Sequence, residues 1–212
     1  ILQGISSEAS VDTVFFYGAG CMNPDNRDKI QEAIINVFHT TKVEVAHDLL
    51  GAARAGLADR KGNAVILGTG SVGAYYDGET IQEIIGGHGY LFGDEGSGAY
   101  LGKLLIQGWL RGEFSEALDR AIYAHVQLEK SQFITKVYRS ERPNKILADL
   151  TYFIHERKDQ EEIKNIIEQS FAAFDTAILE PLLNAHPGQE IAFIGGIASH
   201  FKWFLEGVLE NY

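Results

Sequence analysis

The sequence predicts an α/β fold in which short strands alternate with helices. Short β-branched and aromatic runs end at glycines, and segments with helical spacing of apolar residues lie between them. A long and almost wholly helical stretch, from 99 to about 183, separates the first group of strands from the last one. This alternation is typical of α/β proteins, with the long stretch as a helical insertion.

The first sixty residues predict two strand–helix units. Their elements are, in chain order, a buried strand at 11–17 that ends at Gly18-Ala19-Gly20, a helix that begins at Asn23-Pro24-Asp25, a strand at 42–46, and an Ala/Leu-rich helix from 49 to about 58. The polar segment 59–63 contains a glycine and predicts a hinge or linker after the second helix.

The rest of the chain predicts a second group of strands around the helical stretch. Its elements are a strand at 63–67 that runs into GTGS, a hairpin of 73–76 and 79–85 that turns at Asp77-Gly78, a helix from about 96 to 109, further helices with the clearest spacing at 161–183, a strand at 190–194 that ends at Gly195-Gly196, and a helix from about 199. The apolar residues of the helices between 100 and 185 are interpreted as core.

Composition excludes several classes of function. The net charge of −11 disfavours binding to nucleic acid, because an acidic surface repels phosphate backbones. The single cysteine, Cys21, excludes an internal disulfide framework and a thiolate metal cluster, and it fits the reducing cytoplasm. No apolar run reaches the roughly 18 residues of a membrane span. The chain begins with Ile1 rather than Met, which we interpret as the sign of a piece of a longer protein.

Three glycine-rich segments, each placed directly after a predicted strand, are the most informative feature. They are GTGS (68–71), GGHGYLFGDEGSG (86–98) and GGIAS (195–199). Ligands of open α/β sheets bind at the carboxyl ends of strands, where glycines let backbone N–H groups approach an anion closely. One short GTGS is a weak signal that is more often just a turn, but three such junctions in order predict a ligand site.

Asp48 has two interpretations, because it follows a short strand and precedes a helix. It can be the N-cap of that helix, which is worth ~1 kcal/mol. It can also lie at the mouth of a cleft and accept a proton from an attacking hydroxyl. The spacing alone favours the cap.

Asp94 and Glu95 also have two interpretations. In the first turn of the helix predicted from about 96, they would cap it and favour its dipole. That interpretation leaves the surrounding glycines unexplained. A carboxylate that binds a small polyol needs the ligand close to the main chain, and Gly86, Gly87 and Gly89 would permit that approach.

Several common sites are absent from the sequence. His88 and Ser97 have no spaced partner for a Ser-His-Asp triad, and no pair of His or Cys residues has zinc spacing. Gly18-Ala19-Gly20 follows a strand, but the third glycine of a dinucleotide fingerprint is missing.

The motifs GTGS, GGHGYLFGDEGSG and IGGIAS (194–199) resemble those of the N-acetylglucosamine kinase branch of the BadF/BadG/BcrA/BcrD ATPases. This family belongs to the sugar kinase, actin and heat-shock chaperone superfamily, and the resemblance runs from about Val11 to the C-terminus. It implies a two-lobed, ribonuclease H-like (actin-like ATPase) fold. Residues 1–60 would be the remainder of the N-terminal lobe, and 61–212 the C-terminal lobe with a helical insertion at about 100–187.

The resemblance also implies the chemistry, which is phosphoryl transfer from ATP to a sugar hydroxyl with Mg²⁺ and domain closure. It assigns Asp48 as the catalytic base, in preference to the cap, and leaves the metal ligands unassigned. It places ATP at Gly68, Thr69, Gly70, Gly195 and Gly196, and the sugar at Ser71, Val72, Gly86, Gly87, His88 and Asp94. The implied partner is a small sugar, with neither nucleic acid nor membrane, and a homodimer is left open.

Three departures from the family pattern keep alternatives open. The family has an Asp- and Gly-rich phosphate loop near its N-terminus, which this chain lacks, so the chain as given is expected to be catalytically incomplete. Relatives usually carry Asn and Trp where this chain has Val72 and His88, which leaves the identity of the sugar open. The chain also stops at Tyr212, short of the last family elements. The alternatives are a non-catalytic nucleotide- or sugar-binding module and an ATPase activator of a 2-hydroxyacyl-CoA dehydratase. The activator would need an iron–sulfur cluster, which Cys21 alone does not favour.

Overall fold

The computed structural model describes residues 11–210 and residue 212, and within them six strands form two sheets. The strands are β1 (Val14–Gly18), β2 (Val43–His47), β3 (Gly62–Leu67), β4 (Ser71–Tyr76), β5 (Ile81–Gly86) and β6 (Ile191–Ile194). The helices are α1 (Pro24–Phe38), α2 (Asp48–Leu57), α3 (Gly89–Phe92), α4 (Gly98–Arg111), α5 (Glu116–Val126), α6 (Lys130–Arg139), α7 (Pro143–Ala148), α8 (Thr151–Glu156), α9 (Glu161–Phe174), α10 (Glu180–Ala185), α11 (Gly196–His200) and α12 (Lys202–Leu209). The predicted α/β class is confirmed.

The first sheet consists of β1 and β2, which pair in parallel from Val14–Val43 to Gly18–His47. Asn23 begins α1 as predicted, because its side chain accepts a hydrogen bond from the Asp25 amide at 2.9 Å and a proline follows it. The prediction that β1 is buried is wrong. It begins three residues later than predicted and is half-exposed, with Phe15 61% exposed, where β2 is its one sheet neighbour among the described residues.

The second sheet has the order β5-β4-β3-β6. The predicted hairpin is confirmed as the antiparallel pair β4–β5, and β3–β4 is a second antiparallel pair whose loop is GTGS. Strand β6 lies parallel to β3 on its other side, with Ile66 opposite Ile194. The ends of β3 and β6 therefore bring the GTGS loop next to Gly195.

The connection between the two sheets is shorter than the predicted linker. Strand β3 already begins at Gly62, and α2 packs directly on the second sheet, where a Cβ added to Gly56 would lie 2.5 Å from the Ala192 Cβ. The assignment of 1–60 and 61–212 to two lobes stays a prediction. No helix within the described ranges has the length and apolar character to cross a membrane.

The main core lies among the helices α4–α10, which stand between β5 and β6 in the chain. Its largest buried side chains are Trp109, Phe153, Phe171 and Phe174, in agreement with the predicted helical core. The helix predicted at 161–183 is interrupted by a π-helical turn, Asp175–Leu179. Pro181 has no N–H to donate, and a π turn directly ahead of it accommodates that loss. Ile178 of this turn packs against the sheet at Gly73 and Gly86, where added Cβ atoms would lie within 2.9 Å of it.

Candidate active site

The GTGS segment forms a three-residue loop that closes the β3–β4 hairpin, with Leu67 paired to Ser71. Inside the loop the Gly68 amide donates to the Gly70 carbonyl at 3.0 Å, and Thr69 is exposed at its tip. The loop therefore presents a short stretch of main chain at the carboxyl end of β3. This is the position that ligands of α/β sheets favour.

The loop that precedes α4 and the first turn of α4 hold the GTGS hairpin in place through four hydrogen bonds. The Ser71 amide donates to Asp94 Oδ1 at 3.3 Å, and the Ser71 hydroxyl donates to the Glu95 carbonyl at 2.7 Å. In the other direction, the first amides of α4 donate to the loop carbonyls: Gly98 to Gly68 at 2.8 Å and Ala99 to Thr69 at 3.1 Å. Two of the predicted junctions thus form one unit.

Asp94 is the buried acid of this unit, with 8% of its surface exposed and a left-handed backbone at φ 59°. Burial raises the pKa of the Asp94 carboxyl, and the amide of Ser71 and the charge of Lys103 act in the opposite direction. The alternative that Asp94 and Glu95 cap the helix is wrong. Ser97 is the N-cap, because its hydroxyl accepts from the Tyr100 amide at 3.2 Å.

Gly195 joins the third junction to the other two. It follows β6 and has a φ of 126°, a conformation that side-chain-bearing residues rarely adopt. A Cβ added there would lie 2.4 Å from the Leu67 carbonyl oxygen. Glycine is therefore required for the ends of β3 and β6 to meet. The helix predicted from about 199 begins three residues earlier, because α11 starts at Gly196, directly after Gly195.

A cleft of about 230 Å³ opens beside this junction. Its lining combines main chain at Gly68, Thr69 and Gly196 with rings from α8 and α11, among them His155 and His200. The two histidine rings meet edge to face with centroids 5.4 Å apart, and His200 Nδ1 lies 2.7 Å from the Gly196 carbonyl oxygen. The cleft combines open backbone with aromatic surface.

Sequence analysis missed the aromatic wall, because it interpreted the helices of 100–185 as core. In α8 that is correct for Phe153 and Ile154, which are buried. Tyr152 and His155 lie on the opposite face and line the cleft together. The spacing could have indicated this face, because Tyr152 and His155 are three positions apart and therefore lie on the same side of the helix.

The remaining residues predicted for the sugar adjoin the GTGS hairpin. Val72 pairs with Gly86 across β4 and β5, and a Cβ added to Gly87 would lie 3.1 Å from Val72 Cγ2. His88 follows and is exposed at the start of α3. Gly86, Gly87 and Gly89 all have φ between 72° and 80°. This segment therefore needs its glycines for its own backbone conformation, whatever it binds.

Asp48 makes no hydrogen bond to that group within the described part of the chain. It is the first residue of α2, and its carboxylate accepts only from the neighbouring Leu49 amide, at 3.1 Å, within the described part of the chain. The N-cap alternative is wrong, because His47 holds the cap position. The chain passes from the last residues of α2 into β3. Asp48 is at the first residue of α2, so the length of the helix separates it from the start of β3. Burial lowers the pKa of His47, while the charge of Asp48 acts in the opposite direction.

The comparison with curated proteins finds a relative in Clostridium acetobutylicum, named N-acetylmuramic acid/N-acetylglucosamine kinase. The two are 31% identical over 145 residues, which are 65% of this chain and 46% of the relative. The chain thus spans about half the length of that curated relative. No protein-family model matches the chain.

Solved structures give a fuller match. A protein of Porphyromonas gingivalis, provisionally named N-acetylglucosamine kinase, superposes with a TM-score of 0.89 at 37% identity, over 95% of this chain and 71% of that one. A protein of the same provisional name from Chromobacterium violaceum superposes with a TM-score of 0.70 at 22% identity, over 95% of this chain and 70% of that one, which bears on the fold alone.

The fold and the site geometry thus place the chain in the class of α/β proteins built like sugar kinases. Within that class, it belongs to the N-acetylglucosamine kinase family that the Porphyromonas gingivalis protein represents. This confirms the kinase part of the predicted resemblance. The placement among BadF/BadG ATPases and the ribonuclease H-like description stay predictions.

Proposed function

We propose that the full-length protein transfers a phosphoryl group from ATP to a hydroxyl of an amino sugar, N-acetylglucosamine or a related hexose derivative. The observation that carries the proposal is the assembly of the GTGS loop, Asp94 and Gly195 at one end of β3, beside a cleft. The names of the two relatives above 30% identity support the same reaction.

The cleft has the features that a nucleotide site needs. Added Cβ atoms at Gly68 and Gly196 would meet no atom within 4 Å, so phosphate oxygens can approach the main chain there. The rings of Tyr152 and His200 offer an apolar surface for a purine base. ATP would supply the phosphoryl group, and the cleft would bind and orient it.

The acceptor side rests on two carboxylates with different surroundings. Asp94 is buried and fixed against the Ser71 amide, which suits a group that binds and orients a sugar hydroxyl. Asp48 is half-exposed and has only one local hydrogen bond, so it is free to accept the proton of the attacking hydroxyl. We assign the orienting role to Asp94 and the base to Asp48.

Mg²⁺ belongs to the proposal as the companion of the nucleotide phosphates, to which it binds with one or two protein carboxylates. Among residues 11–210 and 212, no three His, Cys, Asp or Glu side chains gather into a metal site. The expected lack of an N-terminal phosphate loop finds no support in the comparisons, and the segment ahead of residue 11 lies outside the described residues.

A coupled assay of ADP release by the full-length protein, with ATP and a panel of amino sugars and hexoses, tests the proposal. We expect turnover that depends on both ATP and one N-acetylated amino sugar. A matched titration of ATP binding without sugar separates binding from chemistry. ATP binding without turnover on any sugar would refute the kinase proposal in favour of the non-catalytic module.

A further inference from the structure

A second cavity, of about 400 Å³, lies between α3 and α6 with α4 as its floor; we call it the α3–α6 groove. Its walls are mostly apolar and include Leu91, Ile134 and Tyr138, of which Leu91 and Tyr138 are largely exposed. Small-molecule sites have this size and character, with a few polar groups that fix the ligand. An apolar concavity that remains open to solvent is typical of a binding surface.

The groove adjoins the loop that carries the predicted sugar residues. Tyr90 and Leu91 of its wall directly follow His88 and Gly89 in the chain. Lys103 lies in its floor, and its positive charge lowers the pKa of Asp94. The groove and the acceptor loop are thus parts of one surface.

Lys103 is the charged group of the groove. It is half-buried, and its ammonium lies 4.3 Å from the centroid of the Tyr100 ring. It forms no salt bridge with any described residue. The Tyr100 ring offsets part of the hydration that this half-buried cation loses, and a bound anion would add a charge-assisted contact.

The surroundings of the groove are basic although the chain is acidic. The segment 130–145 has five basic side chains and one acidic one, in a chain with a net charge of −11. Lys130 and Lys145 form ion pairs with Asp119 and Asp149. The other three are exposed and form no salt bridge with described residues: Lys136, Arg139 and Arg142. This local field favours the approach of an anion.

We propose that the α3–α6 groove binds the carboxylate-bearing substituent of an acceptor sugar, with the Lys103 ammonium as its counter-ion. The inference rests on the proposed function, because the acceptor loop is taken to hold the sugar ring. A single ammonium among apolar walls suits a singly charged group on an apolar body. A phosphate carries about twice that charge, which a single ammonium would not neutralise.

The test is isothermal titration of the full-length protein at low ionic strength with three probes: N-acetylmuramic acid, its methyl ester and N-acetylglucosamine. We expect the acid to bind about tenfold more tightly than the ester, as a charge-assisted contact would give. Lys103→Met, which keeps the length of the side chain, should reduce this ratio to about one. Lys103→Arg should retain it. Lys136→Met is the matched control, because Lys136 is a nearby cation that does not line the groove.

The outcomes separate this inference from the proposed function. If N-acetylglucosamine binds but the acid has no advantage over the ester, or if Lys103→Met leaves that advantage unchanged, the groove assignment is wrong and the kinase proposal stands. If none of the three sugars binds, both fail. A loss of the advantage in Lys136→Met as well would show a diffuse field rather than a site, which also overturns the assignment.

Discussion

Replacing Gly195 or Gly196 with alanine distinguishes a glycine that the fold needs from a glycine that faces a ligand. The two are adjacent in the chain and both follow β6, but their surroundings differ. A Cβ at Gly195 would lie 2.4 Å from the Leu67 carbonyl oxygen and 3.2 Å from the Gly68 amide nitrogen. A Cβ at Gly196 would meet no atom within 4 Å, at the edge of the cleft.

The magnitude for Gly195→Ala follows from two costs. A residue with a side chain held at φ 126° is strained by roughly 1–3 kcal/mol. Relief of the clash requires the Leu67 carbonyl to move by about 1 Å, which disturbs the β3–β6 pairing and costs about as much as an overpacked core site, roughly 1–3 kcal/mol. We expect Gly195→Ala to lower the free energy of unfolding by about 3 kcal/mol.

Gly196→Ala should leave stability within about 0.5 kcal/mol, because Gly196 is in a helix, where alanine is favoured, and has open space beside it. It should instead weaken ATP binding by about tenfold, since its methyl group occupies the main-chain wall of the proposed nucleotide site. Urea unfolding followed by tryptophan fluorescence measures the first property, and titration with ATP measures the second. Unchanged stability of Gly195→Ala would refute the strain argument, and unchanged ATP affinity of Gly196→Ala would refute the assignment of the cleft.

Three further predictions concern single polar side chains. Asp48→Asn should lower kcat by about 10²–10⁴-fold while sugar affinity stays within a few-fold; turnover that survives would remove Asp48 from the base role. Burial raises the pKa of Asp94 above its ordinary value near 3.8, so the folded state binds that proton more tightly, and the stability this contributes is lost as pH rises through the raised pKa. Asp94→Asn, which keeps the left-handed backbone, should abolish that fall in a pH series of urea unfolding, and an identical slope in both proteins would contradict it. Asn63 is fully buried, and both its amide atoms lack a hydrogen-bond partner among the described residues; Asn63→Leu should raise the urea midpoint by the equivalent of about 1–3 kcal/mol, and a lower midpoint would show that the amide is satisfied.

The strands could be predicted from sequence to within a few residues, because a local pattern of β-branched and aromatic residues indicates where they lie. The hairpin at Asp77 and the strand before GTGS follow from β-branched runs that end at turn residues. The pairing of β6 with β3 could not be predicted in the same way. More than 120 residues separate them, and no local signal reports which strand a distant one joins. That pairing brings Gly195 to Leu67, so the assembled site depends on it.

The errors in the site have a common physical origin. Acids ahead of a helix favour its N-terminus on average, but only the backbone conformation decides which side chain reaches the first amides. Ser97 does so, and Asp94 is turned inward by its left-handed conformation. Likewise, a helical pattern identifies the buried face of α8 but does not indicate what the opposite face contacts. The place of Tyr152 in the cleft could therefore not be predicted from that pattern.

The contacts around Ser71 make the two halves of the proposed site mechanically dependent on each other. Asp94, on the acceptor side, accepts from the amide of Ser71, which ends the loop assigned to ATP. That loop has little room to move independently, because a Cβ at Gly70 would lie 2.9 Å from the Asp94 carboxylate. Its carbonyls are in turn held by the first amides of α4. If the loop binds ATP and Asp94 binds the sugar, as proposed, this contact couples the two sites at the place where a phosphoryl group would pass between the substrates.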